Sequence, residues 1–247
     1  MEGFYPLDHF YYYKLLLTMA QKHWKKYREV AKLIEEDKKY SVEEAMALVK
    51  KVSYTKFVWT VEVHIQTAAN PKYNDQIIRS TVVLPNGTGK SIRIAAFVSD
   101  DNIQVAKDAG ADMVGNTEII SAIEAGNIDF DVLVATPDMM RDLAKVAKTL
   151  WPKGLMPSPK AGSVTIKVAD TIGEIKKGRV EFRLDKAWVI HVGLGKTDFD
   201  DKKLVENFTV LLDSIQAAKP AWVKGKLIEN ISVAPTMGPG VEIEFNS

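Results

Sequence analysis

The sequence predicts a mixed α/β protein in two modules, an α+β module formed from both chain ends and an α/β module inserted between them. Between residues 81 and 177 short apolar runs alternate with helical spacings, the pattern that a parallel sheet with crossover helices requires. After Gly178 the chain reverts to alternating strands around one long amphipathic helix. Its 247 residues give room for one large or two medium domains, and 46% hydrophobic with 26% charged residues is a globular composition.

Residues 22–37 carry helical spacing, with Val30, Leu33 and Ile34 on one side. Ser41-Val42-Glu43-Glu44 is a capping box that opens a helix through Ala45, Leu48 and Val49. A strand is expected at 60–67, a polar turn at 70–75 and a second strand at 76–83. In the inserted module, 91–98 reads as a buried strand, 102–109 and 117–125 as helices, and 132–135 as a strand. Residues 137–150 read as one helix with Pro137 in its first position. Residues 151–162 hold three prolines and two glycines, a constrained loop. Strands follow at 179–184 and 189–194, then a helix over 201–218 with Leu204, Phe208, Leu211 and Ile215 in register, and two final strands. The module boundaries fall near Arg79 and Lys177, so 19–80 pairs with 178–247 around 81–177.

Composition excludes several chemistries. No cysteine is present, which removes disulfides, zinc–thiolate sites and thiol nucleophiles, and suits a reducing compartment. The four histidines, His9, His23, His64 and His191, share no ligand spacing, so no metal site is expected. His64 and His191 fall in strands and read as packed or edge histidines. Asp129, Asp131 and Asp138 bracket a strand without a nucleophile, and no catalytic residue or cofactor is assigned. Gly87-Thr88-Gly89-Lys90 lacks the first P-loop glycine and precedes a strand, so it reads as a hairpin turn. The alternation over 81–177 is the one feature that favours a small nucleotide-binding or hydrolytic enzyme. Residues 9–17 are apolar but too short to span a bilayer, and 1–18 reads as a leader or an overlong start.

Charge must act locally, because the net charge is only +1. The 81–177 segment is near neutral, with eleven Lys or Arg against twelve Asp or Glu. Lys22, Lys25, Lys26 and Arg28 cluster near the start as a candidate phosphate-binding arm, or as a solvated helical turn. Thr55-Lys56-Phe57-Val58-Trp59-Thr60 sets a cation beside aromatic rings at the mouth of a strand, where it can meet phosphate while a ring stacks on a sugar or base. Pro235, Gly238, Pro239 and Gly240 reverse the chain with Thr236 and Met237 at the tip. Each segment alone is an ordinary junction or turn.

Together they match a family. From about Met19 to the C-terminus the chain resembles the bacterial form of large-subunit ribosomal protein one, through Lys26-Tyr27-Arg28, the run from Arg79 to Lys90, Ala109-Gly110-Ala111-Asp112, Phe130-Asp131 and Ala135-Thr136-Pro137-Asp138. Gly154-Leu155-Met156-Pro157, Pro159-Lys160, Val180-Glu181-Phe182-Arg183, Asp185-Lys186 and Thr236-Met237-Gly238-Pro239 complete the series. The resemblance implies an α+β sandwich with an inserted Rossmann-like three-layer domain, and a non-enzymatic, cytoplasmic, ribosome-bound protein that is monomeric when free. Its implied partners are large-subunit ribosomal RNA, exit-site tRNA and the mRNA of its own operon, with no membrane. RNA binding transfers to Lys56, Phe57, Thr60, Thr236, Met237 and Gly238, with Glu44 and Arg183 beside them. Trp59, Trp151 and Trp188 depart from the family pattern, the last two where glycine is common.

Overall fold

The computed structural model describes residues 25–35, 38–73 and 75–245. The expected leader, Lys22, His9 and His23 lie outside them. In chain order the elements are α1 (Lys25–Ala31), α2 (Val42–Val52), β1 (Thr60–Thr67), β2 (Arg79–Val83), β3 (Ile94–Phe97), α3 (Ile103–Asp108), β4 (Met113–Gly115) and α4 (Thr117–Glu124). They continue as β5 (Val132–Ala135), α5 (Met140–Leu143), α6 (Ala147–Leu150), α7 (Val168–Lys177), β6 (Arg179–Arg183), β7 (Val189–Lys196), α8 (Asp201–Ala217), β8 (Ile228–Pro235) and β9 (Val241–Ile243).

An antiparallel sheet in the order β7-β1-β8-β9 joins strands from the two chain ends. Along β1 the side chains alternate: Val61, Val63 and Ile65 are fully buried, while Glu62 and His64 face the other way. The buried face packs on α2 through Met46 and Val49, and on α8 through Leu204, Phe208, Leu211 and Ile215, the residues that the helical spacing selects. Ser41 caps α2 reciprocally with Glu44, as the sequence predicts.

Strands β2 and β6 pair antiparallel as a two-stranded ribbon. It leads the chain out to a parallel sheet, β4-β3-β5, and back again. The two passes stay together: the Leu84 N–H donates to the Gly178 carbonyl at 3.2 Å. Asn207 of α8 is fully buried against the same crossing; its Nδ2 donates to the Gly87 and Leu194 carbonyls at 2.9 and 2.8 Å, and its Oδ1 accepts from the Asn86 N–H at 3.1 Å. All four residues of β3 are buried. Ala95 and Phe97 join a cluster with Ile119, Ile123 and Leu143, whereas Ile94 and Ala96 join one with Val168 and Ile172, so the parallel sheet is covered on both faces.

Several elements differ from expectation. The helix expected over 137–150 is instead 3₁₀ at Pro137–Met139, α5, 3₁₀ at Ala144–Val146, and α6. Tighter winding between α5 and α6 keeps Leu143, Val146 and Leu150 together on the core. The second strand starts at Arg79 rather than 76 because the polar turn runs on, with Gln76 N–H donating to the Tyr73 carbonyl and Gln76 Oε1 accepting from the Asn70 N–H. The strand expected at 91–98 is limited to β3. Neither β4 nor α7 is expected from the sequence; β4 has three residues, and α7 begins at Val168 after an N-cap residue, Lys167, whose side chain makes no cap. Gly87-Thr88-Gly89-Lys90 is a crossing loop between two sheets rather than a hairpin turn. Gly87 and Gly89 have φ of 65° and 68°, and the next element is β3, so no helix N-terminus faces the loop.

Candidate RNA interface

One end of the four-stranded sheet gathers the residues that the sequence singles out. Thr60 opens β1 opposite Lys196 of β7, and its neighbour Val61 sits opposite Pro235 of β8. The turn after β8 therefore lands beside the 55–59 segment, although about 180 residues separate them. Its closure is local: the Gly238 N–H donates to the Pro235 carbonyl at 2.8 Å. Its position comes from β1, because the Thr236 N–H and hydroxyl both donate to the Thr60 carbonyl, at 3.1 and 3.2 Å. The Thr236 hydroxyl also lies 2.8 Å from Glu62 Oε1.

Hydrogen bonds from outside the predicted set complete this end. Tyr54 Oη donates to the Met237 carbonyl at 3.2 Å, and Lys196 Nζ to Thr60 Oγ1 at 3.0 Å. The Trp59 N–H donates to Thr197 Oγ1 at 3.1 Å, and the Thr197 N–H returns to the Trp59 carbonyl at 2.9 Å. Tyr54, Lys196 and Thr197 emerge only from tertiary hydrogen bonds, since no local motif marks a residue 136 or more positions from its partner.

Burial sets the role of Trp59. It is 3% exposed, so it neither stacks on a ligand nor covers the site. Its ring props the surface from below: Tyr54 meets it edge-on at 5.4 Å, and Phe57 leans on it at 5.7 Å. Above this pillar Phe57 is 64% and Met237 54% exposed, with Lys56 also exposed. An apolar ring, a thioether, an ammonium group and a hydroxyl-bearing turn thus share one rigid edge. That combination can stack on a base, contact a phosphate and hydrogen-bond sugar hydroxyls.

The remaining predicted residues lie elsewhere. Arg183 ends β6, and Leu184 after it bridges Ile190, which pairs with Ile65. That is the opposite end of β1, roughly 17 Å from Thr60 at about 3.3 Å per residue. Glu44 lies near the same far end, just after Tyr40, which bridges Ile243 opposite Ile231. Its carboxylate serves its own helix, accepting from the Ser41 N–H at 3.3 Å. Lys26 and Arg28 are exposed on α1, which buries none of its residues. The chain after α1 is tied down where the Glu35 N–H donates to Tyr40 Oη at 3.0 Å.

A family model described as "Ribosomal protein L1p/L10e family" matches residues 49–239, which include the whole cluster at the Thr60 end. The chain belongs to that family. Membership in the L1p/L10e family makes it a ribosome-bound protein of the large subunit that binds ribosomal RNA, in a family of structural proteins rather than enzymes. Among the described residues no helix is long and apolar enough to cross a membrane.

Proposed function

We propose that the Thr60 end of the four-stranded sheet is the ribosomal RNA site of this L1p/L10e chain. Lys56 would contact phosphate, and Phe57 would pack on a sugar or base. Thr236, Met237 and the backbone through Gly238 would meet 2′-hydroxyls and base edges of a folded, non-helical RNA segment. The observation that carries this reading is the exposure of both Phe57 and Met237 on segments that meet at one end of β1, held by the Tyr54–Met237 and Thr236–Thr60 hydrogen bonds and by the Phe57–Trp59 ring contact. Arg183, Glu44, Lys26 and Arg28 would contact the RNA from separate positions around that core site.

The same reading assigns residues 19–80 and 178–247 to one RNA-binding domain and 81–177 to an inserted Rossmann-like domain, together forming the mobile stalk beside the exit site. In that place, in the cytoplasm, the protein would help deacylated tRNA leave. It would also repress its own operon mRNA through an RNA segment that imitates the ribosomal one.

Titration of large-subunit ribosomal RNA against Thr236→Ala and Met237→Ala tests the site. Each should weaken binding by about 1–3 kcal/mol with an unchanged circular dichroism spectrum. Unaltered affinity in both variants would take the turn out of the interface. Parallel titrations with tRNA and the operon leader test the two finer roles.

A further inference from the structure

The free face of the four-stranded sheet carries a second constellation. His64 of β1 and His191 of β7 are directly opposite in register, with their Nδ1 atoms 2.7 Å apart and their rings meeting edge-on at 4.9 Å. Two imidazole lone pairs at that distance repel, so a proton on one Nδ1 lies between them, and a metal ion takes its place only when the rings part. His191 Nε2 lies 3.4 Å from Asp185 Oδ2, which orients the ring with its N–H on Nε2 and its lone pair on Nδ1. This is the carboxylate–imidazole arrangement that prepares a histidine as a metal ligand.

The surroundings favour a cation. A cavity of about 300 Å³ is lined by His64, Gln66, Val189, His191, Asn230 and Ser232. Asn230 Oδ1 is buried and has no hydrogen-bond partner. Glu62 is two residues from His64 on the same face, and Glu242 lies opposite Ser232, itself opposite His64. Lys186 is the neighbouring cation, in the turn before β7. An RNA phosphate would meet Glu62, Asp185 and Glu242 here, so a nucleic acid is the poorer ligand for this face.

We propose that His64 and His191 form a two-imidazole site for a borderline divalent transition ion such as Zn²⁺. Both Nδ1 atoms would bind the ion, with His64 carrying its proton on Nε2 instead of Nδ1. Zinc–nitrogen bonds of about 2.0–2.1 Å at a tetrahedral angle need the two nitrogens roughly 3.3 Å apart, so the rings must open by about 0.6 Å. Among the described residues no three or more His, Cys, Asp or Glu side chains form a metal cage, so water would fill the other positions. Asn230 Oδ1 would accept from such a water.

The test is Zn²⁺ competition against a chromophoric chelator, using the full chain with His9→Gln and His23→Gln so that two of its four histidines remain. One ion should bind per chain. His64→Gln and His191→Gln should each lose more than about a hundredfold in affinity, beyond the roughly tenfold expected for Asp185→Asn, which removes the carboxylate charge beside His191. Equal affinity in the parent and both histidine variants would leave a hydrogen-bonded pair only and overturn the site. Imidazole ¹⁵N spectra of the parent supply a readout that needs no folded variant: Zn²⁺ must shift Nδ1 of both residues, and an unmoved spectrum overturns the proposal equally. Neither result bears on the Thr60-end site, whose affinity for ribosomal RNA is read with Thr236→Ala and Met237→Ala.

Discussion

Strands β1 and β3 are both central in their sheets and largely apolar, yet they leave very different surfaces. In β3 every side chain is buried, because helices cover both faces of the parallel sheet. In β1 the side chains alternate, so one face feeds the core and the other stays free for Glu62, His64 and Gln66. A parallel strand closed on both sides has no free face for recognition; an antiparallel one with a free face can hold polar side chains in register. The residues assigned to RNA, and the histidine pair, all lie in or beside the four-stranded sheet or at the chain's start.

Two phenylalanines put this contrast to its largest test. Phe97 of β3 is fully buried, and Phe97→Ala should cost about 3–5 kcal/mol of folding free energy in urea denaturation. Phe57 is 64% exposed, and Phe57→Ala should change stability by no more than about 0.5 kcal/mol while weakening ribosomal RNA binding by about 1–3 kcal/mol. A strongly destabilised Phe57→Ala would make the ring a packing residue and remove its assignment to RNA.

The sequence reveals these regions unevenly. β1, β5 and α8 can be read closely because alternation, an unbroken apolar run and helical spacing respectively run through them, and the capping box locates α2. The 3₁₀ breaks between 137 and 150 leave no local mark, since Leu143, Val146 and Leu150 satisfy a helical spacing as well as the observed one. At the interface, Lys56, Phe57, Thr236 and Met237 can be named from their segments, but Tyr54 and Lys196 enter only through tertiary hydrogen bonds. The same holds for His64 and His191: without shared spacing in the chain, register alone sets them side by side.

Asn207 tests whether the two sheet regions are coupled. Its buried amide bridges α8, β7 and the loop at Asn86 and Gly87 with three hydrogen bonds. Asn207→Ala strands a buried N–H and two carbonyls, so a loss of about 2–3 kcal/mol is expected, with hydrogen exchange rising at the crossing before either sheet. Uniform acceleration throughout both sheets would instead make the pair one cooperative unit.

Asp131 gives the parallel region a pH signature. Lys90 Nζ donates to its Oδ1 at 2.8 Å and the Arg93 N–H to its Oδ2 at 3.1 Å, and these bonds hold the carboxyl below its ordinary range, the lysine contributing most. A depressed folded-state value means that its stabilisation is complete above the unfolded-state pKa, about 4, and is lost as pH falls through the lower folded value. Asp131→Asn should therefore flatten the acid limb of stability below about pH 4, by less than about 1 kcal/mol because the pair is partly solvated. Identical acid limbs in the two proteins would show that the carboxylate is not stabilised by folding.

The smallest effect belongs to the turn that enters β7. Trp188 has φ of 67°, the one positive value among the described non-glycine residues, and its ring is 44% exposed. Its backbone is committed, because its carbonyl accepts from the Thr67 N–H at 2.9 Å and from the Thr67 hydroxyl at 3.2 Å. A β-carbon in that conformation costs about 1–2 kcal/mol, which glycine would relieve. Glycine gives back roughly 0.5–1 kcal/mol through its greater freedom when unfolded, and the half-buried ring gives up some packing. Trp188→Gly should thus change stability by under about 1 kcal/mol, with the gain of relieved strain slightly ahead. Trp188→Ala isolates that strain, since it removes the ring and keeps the β-carbon, so the glycine variant should be the more stable of the two. If alanine proves the more stable, the left-handed backbone at 188 stores less strain than the freedom that glycine gains on unfolding.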